Sequence, residues 1–129
     1  EEKRHTLPRA KMIKRRSDFQ HVYQKGTSVA GRGMILYVLR DVRVAGKVGF
    51  AAGKKLGCAA VRSRTKRLLR EAYRHMQHEL RQDVGILLIG RAGLAAGKMQ
   101  DAAGELRRLA RRAQIFADGQ AKKRAREHR

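Results

Sequence analysis

The sequence predicts an α+β fold, an α-β-β-β-α-β-α sandwich in which helices lie against a small sheet. Three observations carry that prediction. Apolar residues recur at helical spacing in three places: Phe19, Val22 and Tyr23; Leu68, Leu69, Ala72, Tyr73 and Met76; and Leu106, Leu109 and Ala110. Between them lie runs of branched and aromatic residues, of which Met34-Ile35-Leu36-Tyr37-Val38-Leu39 is the strongest. Ile86-Leu87-Leu88-Ile89 is continuous rather than alternating, which suits a central strand covered on both faces. The 129 residues, 42% of them hydrophobic, suffice for one domain with a modest single core.

Taken in order, residues 1–16 hold seven Lys or Arg and the single Pro, and read as a basic N-terminal arm. The folded domain is expected over 17–113. Ser17-Asp18 offers capping oxygens to a first helix that should stop at Gly26, a residue that tolerates left-handed backbone. Thr27 to Ala30 is a short strand, and Gly31-Arg32-Gly33 marks a turn or bulge before the strong strand at 34–39. Ala45-Gly46 is a turn before a third strand at Lys47 to Ala52. Residues 53–58 form a loop, a long helix follows over about 59–81, and Asp83 to Gly90 supplies the central strand. A last helix over about 95–113 repeats apolar side chains at Met99, Ala102, Ala103, Leu106, Leu109, Ala110 and Ala113. Residues 114–129 are expected to be a basic, flexible tail.

Charge narrows the function. Thirty-two basic against 11 acidic residues give a net charge of +21. A small domain with that charge repels itself, so a polyanionic partner is the simplest reason to keep it, and nucleic acid leads because bound cations release counterions from phosphates. No stretch approaches the ~20 apolar residues of a spanning helix. The N-terminal Glu1-Glu2-Lys3-Arg4 shows no apolar export signal. A single cysteine, Cys58, can form no intramolecular disulfide and no cysteine-based zinc site. The expected compartment is a reducing cytoplasm.

The most informative segment is Lys54 to Arg70, with seven Lys or Arg and no acid. At about 100° per residue, Val61, Leu68, Leu69, Ala72, Tyr73, Met76 and Leu80 gather on one arc of a helix. Arg62, Ser63, Arg64, Lys66, Arg67, Arg70 and Arg74 occupy the rest. A merely solvated face usually mixes signs, because Glu and Lys at i, i+4 stabilise a helix. Here Glu71 is the only acid between Asp41 and Glu79, and the like-charge steps from Arg62 to Arg74 cost helix stability. The face is therefore expected to contact RNA or DNA, with Arg forks suited to phosphate oxygens and to stacking on unpaired bases. Phe19 and Tyr23, at i, i+4 on the first helix, fit either core packing or a stacking platform for single-stranded nucleotides.

At this point the chain resembles the bacterial ribonuclease P protein family, over roughly residues 7–113. The strongest match is Lys54-Lys55-Leu56-Gly57 followed by Arg62-Ser63-Arg64 and Lys66-Arg67-Leu68-Leu69-Arg70-Glu71-Ala72-Tyr73. It is similar to the family's Lys-Lys-hydrophobic-Gly stretch and its Arg-Asn-Arg helix. Ser17 to Gly26 resembles the family's first helix, and Val48-Gly49-Phe50-Ala51 the strand leading into the signature. The resemblance implies the same element order, with a small mixed sheet and an unusual left-handed βαβ crossover like that of a ribosomal-protein domain. It implies an RNA-binding subunit of an endoribonuclease that removes the 5′ leader from precursor tRNA, with the chemistry performed by the RNA subunit and no catalytic residue on the protein. It assigns Phe19, Tyr23 and Lys55 to a leader-binding cleft, and Arg62, Ser63, Arg64, Lys66, Arg67 and Arg70 to contact with ribonuclease P RNA. The implied partners are that RNA and the precursor tRNA leader. The protein alone would bind no cofactor, and the holoenzyme would require Mg²⁺. Ser63 departs from the motif's Asn and lacks its simultaneous donor and acceptor.

Other classes fit less well. A self-sufficient two-metal nuclease needs clustered carboxylates, and the acids between the termini are scattered along the chain. His75 and His78, at i, i+3, are expected to be ordinary surface histidines. Gly49 to Lys55 has three residues between its glycines, and Lys55 stands where a phosphate-binding loop has Ser or Thr. Cys58 is expected to be a small packing residue. A ribosomal or nucleoid-type structural protein would share the charge but not the paired matches in two helices.

Overall fold

The computed structural model describes residues 11–91, 94 and 99–116, without the side chains of Lys54, Met99 and Gln100. The first ten residues of the expected arm, the expected helix start at 95–98 and the tail from 117 lie outside that range. The elements are α1 (Arg16–Lys25), β1 (Thr27–Ala30), β2 (Met34–Leu39), β3 (Val48–Ala52), α2 (Ala59–Met76), β4 (Gly85–Gly90) and α3 (Met99–Ala113). That is the predicted order.

The four strands form one mixed sheet in the order β1-β2-β4-β3. β2 pairs antiparallel with β1 and β4, whereas β3 and β4 are parallel and are joined through α2. A parallel pair cannot be closed by a hairpin, so the long basic helix is the crossover that the topology requires. β4 lies inside the sheet, and all its residues but the half-buried Ile89 are buried. Its continuous apolar run follows from being covered above and below.

Alternation along the strands sorts the two layers. Met34, Leu36, Ile86 and Leu88 pack with Leu69, Ala72, Tyr73 and Met76 of α2 and Leu106, Leu109 and Ala110 of α3 in the main core. Tyr37, Leu87 and Ile89 face the other way, where Val22 of α1 and Val44 complete a smaller cluster. One short helix therefore covers one face of the sheet, and two long ones cover the other.

Local details depart from expectation in four places. Ser17 and Asp18 do not cap α1: the N-cap is Arg15, without a side-chain hydrogen bond. The Asp18 carboxylate instead accepts from Arg43 Nε at 2.6 Å, because an ion pair with the β2–β3 connection is available to it. Gly26 does end α1, but with φ −78° rather than in the left-handed region. Glycine is needed there for close approach, since a Cβ would lie 2.5 Å from the Val22 carbonyl oxygen and 2.8 Å from that of Val38. α2 stops at Met76 rather than near 81, and a 3-10 turn, Gln77–Glu79, follows. Leu80 leaves the helix to bridge Phe116, and Arg81 N–H donates to the Ile115 carbonyl at 2.7 Å. Residues 54–56, expected as loop, form a further 3-10 turn.

Two close approaches lock the layers together. The Thr65 hydroxyl donates to the Val61 carbonyl at 2.8 Å, and its methyl lies where a Cβ on Gly90 would collide. α2 thus rests directly on the backbone of β4. Glu105, almost wholly buried on α3, accepts the Gly33 N–H through both carboxylate oxygens, at 2.9 and 3.2 Å. That bond satisfies a backbone donor in the β1–β2 turn which would otherwise be buried unpaired.

Candidate nucleic-acid interface

α2 separates its faces as the spacing predicts. Thr65, Leu69, Ala72, Tyr73 and Met76 are buried, while Ser63, Arg64, Lys66, Arg67 and Arg70 are exposed. The first turn contains no acid. Glu71 is engaged by Arg74 at 3.2 Å, which leaves Lys66 and Arg67 without an ion pair among the described residues. Arg62 differs from its neighbours. It is half-buried, and its Nε–H is shielded from solvent without a hydrogen-bond partner among the described residues.

Arg70 connects this face to the sheet. Its guanidinium carbon lies 5.8 Å from the centroid of the Phe50 ring, and Phe50 meets Tyr73 edge-on at 6.0 Å and 74°. A guanidinium over an aromatic face is held electrostatically while its N–H groups stay free for an anion. Burial pushes the Tyr73 hydroxyl up to about 12, so that ring is neutral throughout the physiological range.

The α1 side holds the aromatic residues. Phe19 is half-buried and packs on the Val22–Leu87 cluster, whereas Tyr23 is 50% exposed. The two open readings of this pair therefore divide between them: Phe19 is partly core, and Tyr23 presents its ring. Tyr23 lies against Tyr37 with centroids 5.1 Å apart and planes at 38°. Burial, and then the neighbouring Tyr23, raise the Tyr37 pKa above its usual value.

In the sequence Tyr37 is marked only as part of the strong strand run at 34–39. The signal that could have found it is the period of two that puts it on the opposite face from Leu36. Next to it, register aligns Ile35 of β2 with Ile89 of β4 and Ala51 of β3. All three are only half-buried, so this row is a partly open apolar floor. It leads toward the end of β3, where Lys55 stands exposed in the following 3-10 turn. Among the described residues no hydrogen bond or ring contact joins Lys55 to Phe19 or Tyr23.

Other candidates resolve plainly. Cys58 is exposed at the N-cap of α2, not a packing residue as expected, because the helix reaches the sheet only from Val61 onward. The open N–H groups of Val61 and Ala60 hold its thiol below the usual pKa. His75 and His78 are both exposed, and among the described residues no three His, Cys, Asp or Glu gather as a metal site. Gly49 lies inside β3, so the glycine-lysine segment is strand and turn rather than a phosphate-binding loop. No helix in the described residues is long and apolar enough to cross a membrane.

Comparison with known proteins decides among RNA- and DNA-binding classes. The family model described as ribonuclease P matches residues 7–114. The chain belongs to the ribonuclease P protein family.

A ribonuclease P protein component from Symbiobacterium thermophilum is 45% identical over 86 residues, covering 66% of this chain and 75% of that one. The one from Gluconacetobacter diazotrophicus is 38% identical over 109 residues, covering 83% and 94%. The solved structure of the Staphylococcus aureus RNase P protein superposes with a TM-score of 0.73 at 28% identity, covering 84% of this chain and 99% of that one. The mixed four-stranded sheet with three helices is thus the family's fold. As a ribonuclease P protein, the chain is the RNA-binding protein component of a ribonucleoprotein enzyme in tRNA 5′ processing, and its RNA partner is ribonuclease P RNA.

Proposed function

We propose that the α2 face binds ribonuclease P RNA while the opposite face of the sheet holds the 5′ leader of precursor tRNA. The carrying observation is that one small sheet has uncompensated cations on the helix covering one side and a half-open aromatic row on the other. Ser63, Arg64, Lys66, Arg67 and Arg70 supply donors to phosphates of the RNA subunit, and the half-buried Arg62 adds its positive charge beside them. Tyr23, Tyr37, Phe19 and the Ile35–Ile89–Ala51 row offer a surface on which unpaired bases stack, with Lys55 at its mouth for the backbone.

In this reading the protein contributes positioning and electrostatics, and no residue of it takes part in bond cleavage. Magnesium ions, held by RNA, supply the hydrolytic chemistry. Cations on α2 neutralise phosphates where RNA and substrate meet, so fewer free Mg²⁺ ions are needed. Leader contacts add affinity that mature tRNA cannot make, about 1–3 kcal/mol for each stacked base, which favours substrate over product. The compartment of action is the cytoplasm.

The test is cleavage of a precursor tRNA by bacterial ribonuclease P RNA at low Mg²⁺, with and without this chain. Maturation at the 5′ end that needs both components is the expected result. Cleavage by the protein alone would overturn the mechanism. RNA binding without any stimulation of a matched RNA subunit would favour a purely structural nucleic-acid-binding role.

A further inference from the structure

A strongly cationic concavity lies at the start of α1, apart from the basic face of α2. This 320 Å³ cavity is lined by Met12, Lys14, Arg15, Asp18, Arg43 and Lys47. Lys47 immediately precedes β3 and Lys55 follows it, so the cavity sits at the opposite end of that strand from the mouth of the aromatic row. We propose that this cavity is a second phosphate-binding site, which takes a phosphodiester of RNA and gives the protein a foothold independent of α2.

The fold assembles the site from three segments. Met12 bridges Val48, and Ile13 N–H donates to the Val48 carbonyl at 2.8 Å, so the chain before α1 runs along the outer edge of β3. That pairing sets Lys14 and Arg15 beside Lys47. A tight turn after β2, with Val44 N–H donating to the Asp41 carbonyl at 3.1 Å, brings Arg43 to the same place.

The one acid in the lining is already neutralised. Asp18 is 7% exposed and accepts from Arg43 Nε at 2.6 Å. It holds the guanidinium at the cavity and leaves its outer N–H groups available. Lys14, Arg15 and Lys47 make no ion pair among the described residues. α1 begins here with no side-chain oxygen on its first-turn N–H groups, which adds the positive end of a helix dipole.

Gathering four cations around one neutralised carboxylate costs stability unless an anion joins them. The volume is about ten times the ~30 Å³ share of one liquid water, so a phosphate group enters with part of its hydration. Arg43 provides the planar fork that fits phosphate oxygens, and Lys14 and Lys47 act as point charges. The inference rests on the proposed reading that this chain works bound to RNA.

The experiment uses the assembled holoenzyme with a Lys14→Ala/Lys47→Ala double variant. Both lysines carry at least part of their surface in solvent, so the fold is expected to survive, and thermal unfolding checks it. Assembly with ribonuclease P RNA, and binding of precursor and mature tRNA by the holoenzyme, are each titrated across salt concentration. The proposal predicts that one log–log salt slope falls by about 0.7–0.9. A drop in the assembly titration identifies a phosphate of the RNA subunit, and a drop confined to the leader-bearing substrate identifies the leader backbone. Unchanged slopes in all three titrations overturn the site. Arg67→Ala on α2, measured in parallel, reports on the α2 reading alone, so the two ideas can fail separately.

Discussion

Replacing Tyr23 by Ala separates the roles of the aromatic row in folding and in binding. The ring is 50% exposed, so about half of the 150–250 Å² that an aromatic side chain can bury is lost, roughly 100 Å². At ~25 cal/mol/Å² that removes about 2.5 kcal/mol of stability. Loss of the contact with Tyr37, at 5.1 Å between centroids, adds about 0.5–1.5 kcal/mol. The sum, near 3–4 kcal/mol, is an upper figure because unfolded chains already bury some surface. A domain stable by ~5–15 kcal/mol remains largely folded at 25 °C. Binding should respond differently. One lost base stack of about 1–3 kcal/mol weakens the leader-bearing substrate roughly 5- to 150-fold. Mature tRNA, which has no leader, should bind the variant holoenzyme as before. The assay is the ratio of precursor to mature tRNA dissociation constants for reconstituted holoenzyme, with Tyr23→Phe keeping most of the ratio because the ring is retained. An equal loss for both ligands would refute the stacking role and leave Tyr23 as a packing residue.

Four further outcomes follow from particular contacts. Arg67→Ala should flatten the salt dependence of RNA binding by about 0.7–0.9 log units per log unit; an unchanged slope puts that exposed side chain off the phosphate interface. Gly90→Ala drives a Cβ into the Thr65 methyl and should cost about 1–3 kcal/mol in denaturant titrations. Adding Thr65→Ser should recover most of that loss, and no recovery would show that α2 is held off β4 by something else. Asp83 is held below its usual pKa of 3.8 first by the hydrogen-bonded Arg81 guanidinium, at 2.6 and 2.9 Å. A depressed carboxylate stabilises the fold fully above its unfolded value of about 3.9 and loses that contribution as pH falls through the lower folded value. Asp83→Asn should therefore lower stability above about pH 4, where the carboxylate's contribution is fully present, and flatten the fall below it, as read from thermal melts across pH. Gln114 ends α3 with φ +59°, so Gln114→Gly should raise stability by up to ~1 kcal/mol, and a lower melting temperature would contradict that account.

The order of elements, the central position of β4 and the cationic face of α2 were all legible in the sequence, since each rests on a period or a run within one segment. Lys66, Arg67 and Arg70 are exposed because Leu69, Ala72, Tyr73 and Met76 beside them must be buried, and a single helix decides both. The family was legible too, in two short stretches with fixed spacing. What the sequence did not show depends on which segments meet. Tyr37 joins Tyr23 only because α1 lies over the second face of the sheet. Asp18 serves Arg43 rather than the helix end, and Glu105 serves the backbone of Gly33, because partners 25 and 72 residues distant come into reach. Cys58 is exposed because α2 touches the sheet one turn later. Local pattern fixes what a segment buries, whereas a polar or aromatic side chain takes its role from the neighbour that packing brings within about 3–5 Å, and only the tertiary structure supplies that neighbour.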